Sequence, residues 1–208
     1  MNFEYKFDVN IGSKILECRA FTLREYKDLM KAKADGNLKN AVLEVLSKCT
    51  KAHQLTKQES ELLLVKLWAH STGEVNIDTV YTCECEKETL VPVNMNYIQL
   101  DDAPEVVYDF KNFKIKFNYP KIFEESNKAS MIASCIDYII VGDEKLKVDD
   151  LTDQELSDLY TAITTEDIIK IADMLVNPTI YTAIPIQCEC GKSNIKVIRG
   201  LKEFFRLL

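Results

Sequence analysis

Histidine is almost missing from this chain: His53 and His70 are the two in 208 residues. That scarcity leaves little from which to assemble a Ser/His/Asp or Cys/His catalytic set. Glycine is scarce as well, six residues scattered along the sequence, so no glycine-rich loop is available to cradle a phosphate. No apolar run approaches the roughly 20 residues that span a bilayer. The opening Met1-Asn2-Phe3-Glu4-Tyr5-Lys6-Phe7 has no basic region leading into an apolar stretch, which argues against a secretory signal. Clustered positive charge is lacking too. The formal net charge is −7, and no basic face of the kind that displaces counterions from phosphates can be picked out. Such a balance favours protein partners over nucleic acid.

Cysteine, by contrast, is plentiful. There are seven, an odd number that fits a complete disulfide framework poorly. In a reducing compartment, close cysteine spacings favour metal over disulfide. Four of the seven form two matching triplets, Cys83-Glu84-Cys85 and Cys188-Glu189-Cys190, one in each half of the chain. Strand-like runs flank both: Val80-Tyr81-Thr82 and Leu90-Val91-Pro92-Val93 around the first, Ile184-Pro185-Ile186-Gln187 and Ile195-Lys196-Val197-Ile198 around the second. This reads as two β-hairpins, each with a thiol pair at its tip. Two pairs supply four soft ligands, the set that structural zinc takes.

The single intervening residue departs from the usual zinc-knuckle spacing, and two other readings stand beside zinc. The four thiols could pack as small buried hydrophobes, or they could serve a redox or disulfide role, although no Cys-x-x-Cys occurs. Gly191 would let the second tip curl so that amides face a sulfur, whereas the first tip has Glu86 there. Glu84 and Glu189 are expected to point into solvent. His70 is a weaker candidate ligand, and His53 should be exposed. Cys18, Cys49 and Cys135 sit in apolar patterns and read as core. The acidic group Asp149, Asp150, Asp153, Glu155 and Asp158 lacks the alternation of a calcium loop and reads as a solvated helix start.

Hydrophobic periodicity gives an α+β fold. Phe3, Tyr5, Phe7 and Val9 alternate with polar residues as a strand, and Asn10-Ile11-Gly12-Ser13 turns it into a second strand over Ile15 to Phe21. Capping boxes at Thr22/Glu25, Thr56/Glu59 and Thr152/Glu155 start helices. Between the first two boxes, Leu38, Val42, Val45, Leu46 and Cys49 mark another helix. In the second half, Val106–Phe110 and Phe113–Tyr119 read as a hairpin. Met131, Ile132, Cys135, Ile136, Ile139 and Ile140 then read as one helix. A further helix begins at Thr164 and stops at Asn177-Pro178. The stripe Leu201, Phe204, Phe205 and Leu208 forms a last helix, either docked on its own core or offered to a partner's groove.

The order of hairpin, helices and CEC hairpin occurs twice, which implies an internal duplication with lobes at 1–104 and 105–208. A zinc ion shared by Cys83, Cys85, Cys188 and Cys190 would clasp them. Three functions compete on the residues alone. A structural or assembly protein needs only contact surfaces. A zinc-ribbon nucleic-acid regulator needs a basic, aromatic tip, yet Glu84, Glu86, Glu88 and Glu189 crowd these tips against Lys87 and Lys192. A metal hydrolase needs an open metal position, and four thiolates leave none.

The opening MNFEYKFDVNIGSKILECRAFTLREYKDLM, the tips YTCECEKE and QCECGKSN and the overall length resemble the baseplate hub assembly family of T-even-type bacteriophages. The resemblance spans the whole chain. It implies a late viral protein without catalytic residues, acting in hub assembly in the cytoplasm of the infected host and belonging to the tail baseplate. Other hub and tail proteins, the tape-measure protein among them, would be its partners, with neither nucleic acid nor membrane involved.

Overall fold

The computed structural model describes residues 4–207. Phe3 and Leu208, expected on the first strand and the last helical stripe, lie outside them. The elements in chain order are β1 (Lys6–Ile11), β2 (Lys14–Arg19), α1 (Leu23–Ala34), α2 (Leu38–Cys49), α3 (Lys57–Thr72), β3 (Asn76–Thr82), β4 (Glu88–Asn94) and β5 (Gln99–Leu100). They continue with β6 (Val106–Asp109), β7 (Lys114–Phe117), α4 (Lys128–Cys135), β8 (Ile136–Val141), β9 (Glu144–Leu146), α5 (Asp153–Ala162) and α6 (Thr165–Val176). The chain ends with β10 (Ile180–Gln187), β11 (Ser193–Arg199) and α7 (Gly200–Leu207). This is the α+β class that the periodicity indicates. No helix among the described residues is long and apolar enough to cross a membrane.

Two compact units partition these elements. One is discontinuous, joining Met1–Asp101 to Thr179–Leu208, and the other is Asp102–Pro178. Both CEC hairpins therefore belong to the first unit, so this partition is not that of the sequence repeats at 1–104 and 105–208.

The discontinuous unit is built around α3. Its N-cap Thr56 hydroxyl accepts from the Glu59 amide while the Glu59 carboxylate accepts from the Thr56 amide, so two otherwise free donors are satisfied together. Leu63, Leu64, Val65 and Leu67 are almost wholly buried, and so are the polar residues Lys57, Gln58, Ser60 and Glu61. A helix covered on every side in this way is a core helix, not a surface one. Burying Lys57 and Glu61 is tolerated because they pair at 3.1 Å and the Thr179 hydroxyl donates to Glu61 at 2.8 Å. The α3 helix packs against β1, β5, β10, α2 and α7. Trp68 near its end meets Phe21, Tyr26 and Phe205. Phe204 is fully buried, so α7 docks on the core of its own unit.

The contiguous unit carries an antiparallel sheet in the order β6-β7-β8-β9. Ile115, Phe117 and Ile139 face a core completed by Met131, Ile171 and Leu175 of its helices. The expected single helix through Ile140 is corrected here: α4 stops at Cys135 and β8 begins at Ile136. Ile136, Ile139, Ile140 and Val141 are β-branched, and Gly142 at φ 59° supplies a tight turn into β9. Strand pairing with β7 and β9 therefore overrides the helical spacing. The acidic group does the work of helix starts. Asp150 accepts from the Lys147 amide, Glu155 closes the Thr152 capping box, and Asp158 accepts from the Gln154 amide side chain.

Candidate metal centre

The two tips share one backbone design. In the first, the Cys83 amide donates to the Lys87 carbonyl and the Glu86 amide to the Cys83 carbonyl, both at 2.9 Å. In the second, the Cys188 amide donates to the Lys192 carbonyl and the Gly191 amide to the Cys188 carbonyl, again at 2.9 Å. Each turn ends on a left-handed residue, Glu86 at φ 65° and Gly191 at φ 86°. Glycine adopts that conformation freely, whereas for glutamate it is strained. The first tip thus takes the same shape as the second without the glycine that eases it.

The curl brings all four sulfurs within 4.8 Å of one another. Cys83 Sγ lies 3.8 Å from Cys190 Sγ, and Cys85 Sγ lies 3.6 Å from Cys188 Sγ. A tetrahedral metal with sulfur bonds of about 2.3 Å has sulfur–sulfur edges of about 3.8 Å. The donor set therefore fits a four-thiolate metal ion in both number and spacing. All seven cysteines are free thiols. Cys18, Cys49 and Cys135 are buried in the core outside this cluster, and burial pushes the thiols of Cys49 and Cys135 up to about 11.

Burial differs within each tip in the same sense. Cys83 and Cys188 are buried, while Cys85 and Cys190 are exposed, and each buried sulfur faces the exposed sulfur of the opposite tip. The electrostatics follow from this crossing. The Lys192 amide donates to Cys190 and, with the Cys188, Cys85 and Cys83 thiols, holds it down to about 7. At Cys188 the Cys190 amide acts to lower the thiol, but hydrogen bonding among the sulfurs and desolvation push it up to about 12. Amides aimed at sulfur favour the thiolate, the form that binds metal.

Charged side chains repeat the crossing. Lys87 Nζ lies 3.0 Å from Glu189, and Lys192 Nζ lies 2.7 Å from Glu84. Glu84 and Glu189 are exposed, as the sequence suggests, but each is paired with the lysine of the other tip. Behind the tips, Lys196 Nζ donates to Thr79 Oγ1 at 3.1 Å and to the Val80 carbonyl at 2.6 Å, and Asn194 donates to the Tyr81 hydroxyl. These cross-hairpin bonds were not read from the sequence. The shared spacing Cys-Glu-Cys-x-Lys was the available signal for the lysine pairs. His70 does not join the cluster: its ring stacks on Phe7 with centroids 4.2 Å apart, and burial lowers its pKa. His53 is exposed between α2 and α3.

Comparison with known proteins adds the context. The family described as T4 bacteriophage base plate protein matches residues 2–206. A baseplate hub assembly protein of Enterobacteria phage T4, gp26, is 51% identical over 207 residues, covering 99% of this chain and 100% of that protein. No solved structure matches.

Proposed function

This chain belongs to the T4 bacteriophage base plate protein family, and from that premise we propose that it is a structural and assembly protein of the tail baseplate, working on the hub through protein–protein contacts. Identity of 51% across the full length of the phage T4 hub assembly protein is the observation that carries this reading. Other baseplate proteins are its partners, hub and tail components first, with the tape-measure protein included among those to be tried. Assembly takes place in the cytoplasm of the infected host before the tail is complete. We assign the protein no catalytic step.

Within this role the four thiols are a structural staple. Cys83, Cys85, Cys188 and Cys190 hold one Zn²⁺, which supplies four-coordinate cross-linking of the two hairpins and no reactive position. The sulfur spacing and the amides directed at the sulfurs support it. The exposed lysines of the tips are paired with glutamates, which counts against a nucleic-acid reading of the same motif. Matching tips at corresponding points of 1–104 and 105–208 support descent by internal duplication.

The test is a pull-down from cells producing the other hub components, combined with baseplate assembly in cells infected by phage lacking this protein. Capture of a hub component and restored assembly are expected. Normal baseplates in its absence would overturn the role, whatever the metal content of the purified chain.

A further inference from the structure

We propose that the metal centre is also a thiol switch, convertible by a peroxide-class oxidant into two inter-hairpin disulfides, Cys83–Cys190 and Cys85–Cys188. The inference rests on the reading of these thiols as a metal centre, and it follows from how the four sulfurs are crossed. Each cross-hairpin pair contains one exposed sulfur that solvent reaches and one buried sulfur 3.6 or 3.8 Å away. That is the arrangement of an attacked thiol beside a resolving thiol. A disulfide needs about 2.05 Å between sulfurs, so each pair must close by less than the width of an atom.

The chemistry balances without further reactants. The exposed Cys190 thiolate attacks hydrogen peroxide, breaks the O–O bond and becomes a sulfenic acid, and one water leaves once a proton is taken up. The buried Cys83 thiolate then attacks that sulfur, forms the S–S bond and releases a second water with another proton. Two electrons pass from the two sulfurs to peroxide. Cys85 and Cys188 repeat the sequence with a second peroxide. Each disulfide would take two of the four thiolates away from a bound metal, so the second would leave it without protein sulfur ligands, while the hairpins remain joined by covalent bonds. Cys18, Cys49 and Cys135 are buried and lie outside the four-sulfur cluster, so they stay reduced and serve as internal controls.

Peroxide titration of the full-length protein, zinc-loaded and chelator-stripped, tests this. A chromogenic zinc reporter follows metal release, and free thiols are then alkylated. A Glu-specific protease cuts the denatured chain after Glu84 and Glu189, which separates the two cysteines of each tip for mass spectrometry. The expected result is Cys83–Cys190 and Cys85–Cys188 in both samples. Release of about one zinc per chain should accompany them, and the melting temperature should no longer respond to chelator. The Cys190→Ser protein should still form Cys85–Cys188. Linkages within a tip, Cys83–Cys85 or Cys188–Cys190, overturn the proposal, and so do sulfinic acids at the exposed positions beside alkylatable buried thiols. Bound zinc that survives peroxide with all four thiols intact overturns the switch and leaves the metal centre standing. Crossed disulfides in a protein that never bound zinc uphold the pairing and overturn the metal centre.

Discussion

If the four thiols hold one metal ion as proposed, replacing Cys188 with serine should destabilise the protein by about 3–5 kcal/mol, because it opens a cross-link between distant parts of the chain. Such a clasp would join Cys85 to Cys188 across 103 positions of sequence. In the chain-entropy account, a cross-link closing a loop of about 100 residues stabilises the fold by roughly 4.7 kcal/mol, through the unfolded state it restricts. Serine is a poor zinc ligand, and three remaining thiolates hold the metal more weakly, so most of that contribution is lost. For a chain of this size each kcal/mol moves the melting temperature by about 2–4 °C, giving a fall of roughly 6–20 °C. Melting followed by circular dichroism, with and without chelator, reads it directly. The decisive comparison is a double-mutant cycle. If one ion is shared, Cys83→Ser added to Cys188→Ser changes stability little beyond the first substitution, since the metal has already gone. Chelator should lower the wild-type melt to near that of the single variant and leave the variant unchanged. Additive losses, or a wild-type melt indifferent to chelator, would refute the shared-ion reasoning.

Other consequences are smaller and separable. Glu86→Gly should stabilise by about 0.5–1 kcal/mol by relieving a left-handed glutamate, and Gly191→Ala should destabilise by about 1 kcal/mol, since a Cβ there meets open space and only backbone strain changes; chemical denaturation measures both. Phe204→Ala, at a fully buried position, should destabilise by about 3–5 kcal/mol in the same assay. Lys192→Ala removes an exposed, solvent-screened ion pair and should leave stability close to that of the wild type. Arg19 holds the Glu25 carboxyl down to about 2 from its ordinary 4.5. The resulting stabilisation is therefore fully present above pH 4.5 and is lost as pH falls toward 2. The stability difference between wild type and Arg19→Ala should narrow over that window, and a constant difference would refute the assignment.

Much of this fold was written locally. Three capping boxes named the starts of α1, α3 and α5, because a side chain reaching its own N-terminal amides needs no tertiary partner. The thiol tips were legible for the same reason: a short turn fixes where both sulfurs of a triplet can go. The junction at Cys135 and Ile136 was not. Met131, Ile132 and Cys135 end a helix in phase with Ile136, Ile139 and Ile140 of a strand, so one 3.6-residue pattern runs across two elements. Which sulfur of one tip faces which sulfur of the other was also beyond the sequence. That crossing depends on how the two hairpins lie together, and on long-range bonds such as Lys196 to Thr79.

The discontinuous unit imposes an order on folding. Asp102–Pro178 is contiguous and holds its own hydrophobic core, so its strands and helices can pair as soon as they are made. Met1–Asp101 cannot be completed at that point. Its central helix still lacks Phe204 and Phe205 of α7, β5 lacks its partner β10, and Glu61 lacks the Thr179 hydroxyl. Contacts of such long sequence separation carry a loop-closure entropy that must be met before they stabilise anything. Binding of the proposed metal would be the natural last step, since two thiolates from each segment must already lie within a few ångströms. A chain ending at Pro178 should therefore keep a folded Asp102–Pro178 unit by amide hydrogen exchange, while Met1–Asp101 exchanges freely and the thiols of Cys83 and Cys85 are alkylated at the rate of an unfolded peptide. Native-like protection of α3 in that truncated chain would mean that the C-terminal segment is an accessory to the core and not the part that completes it.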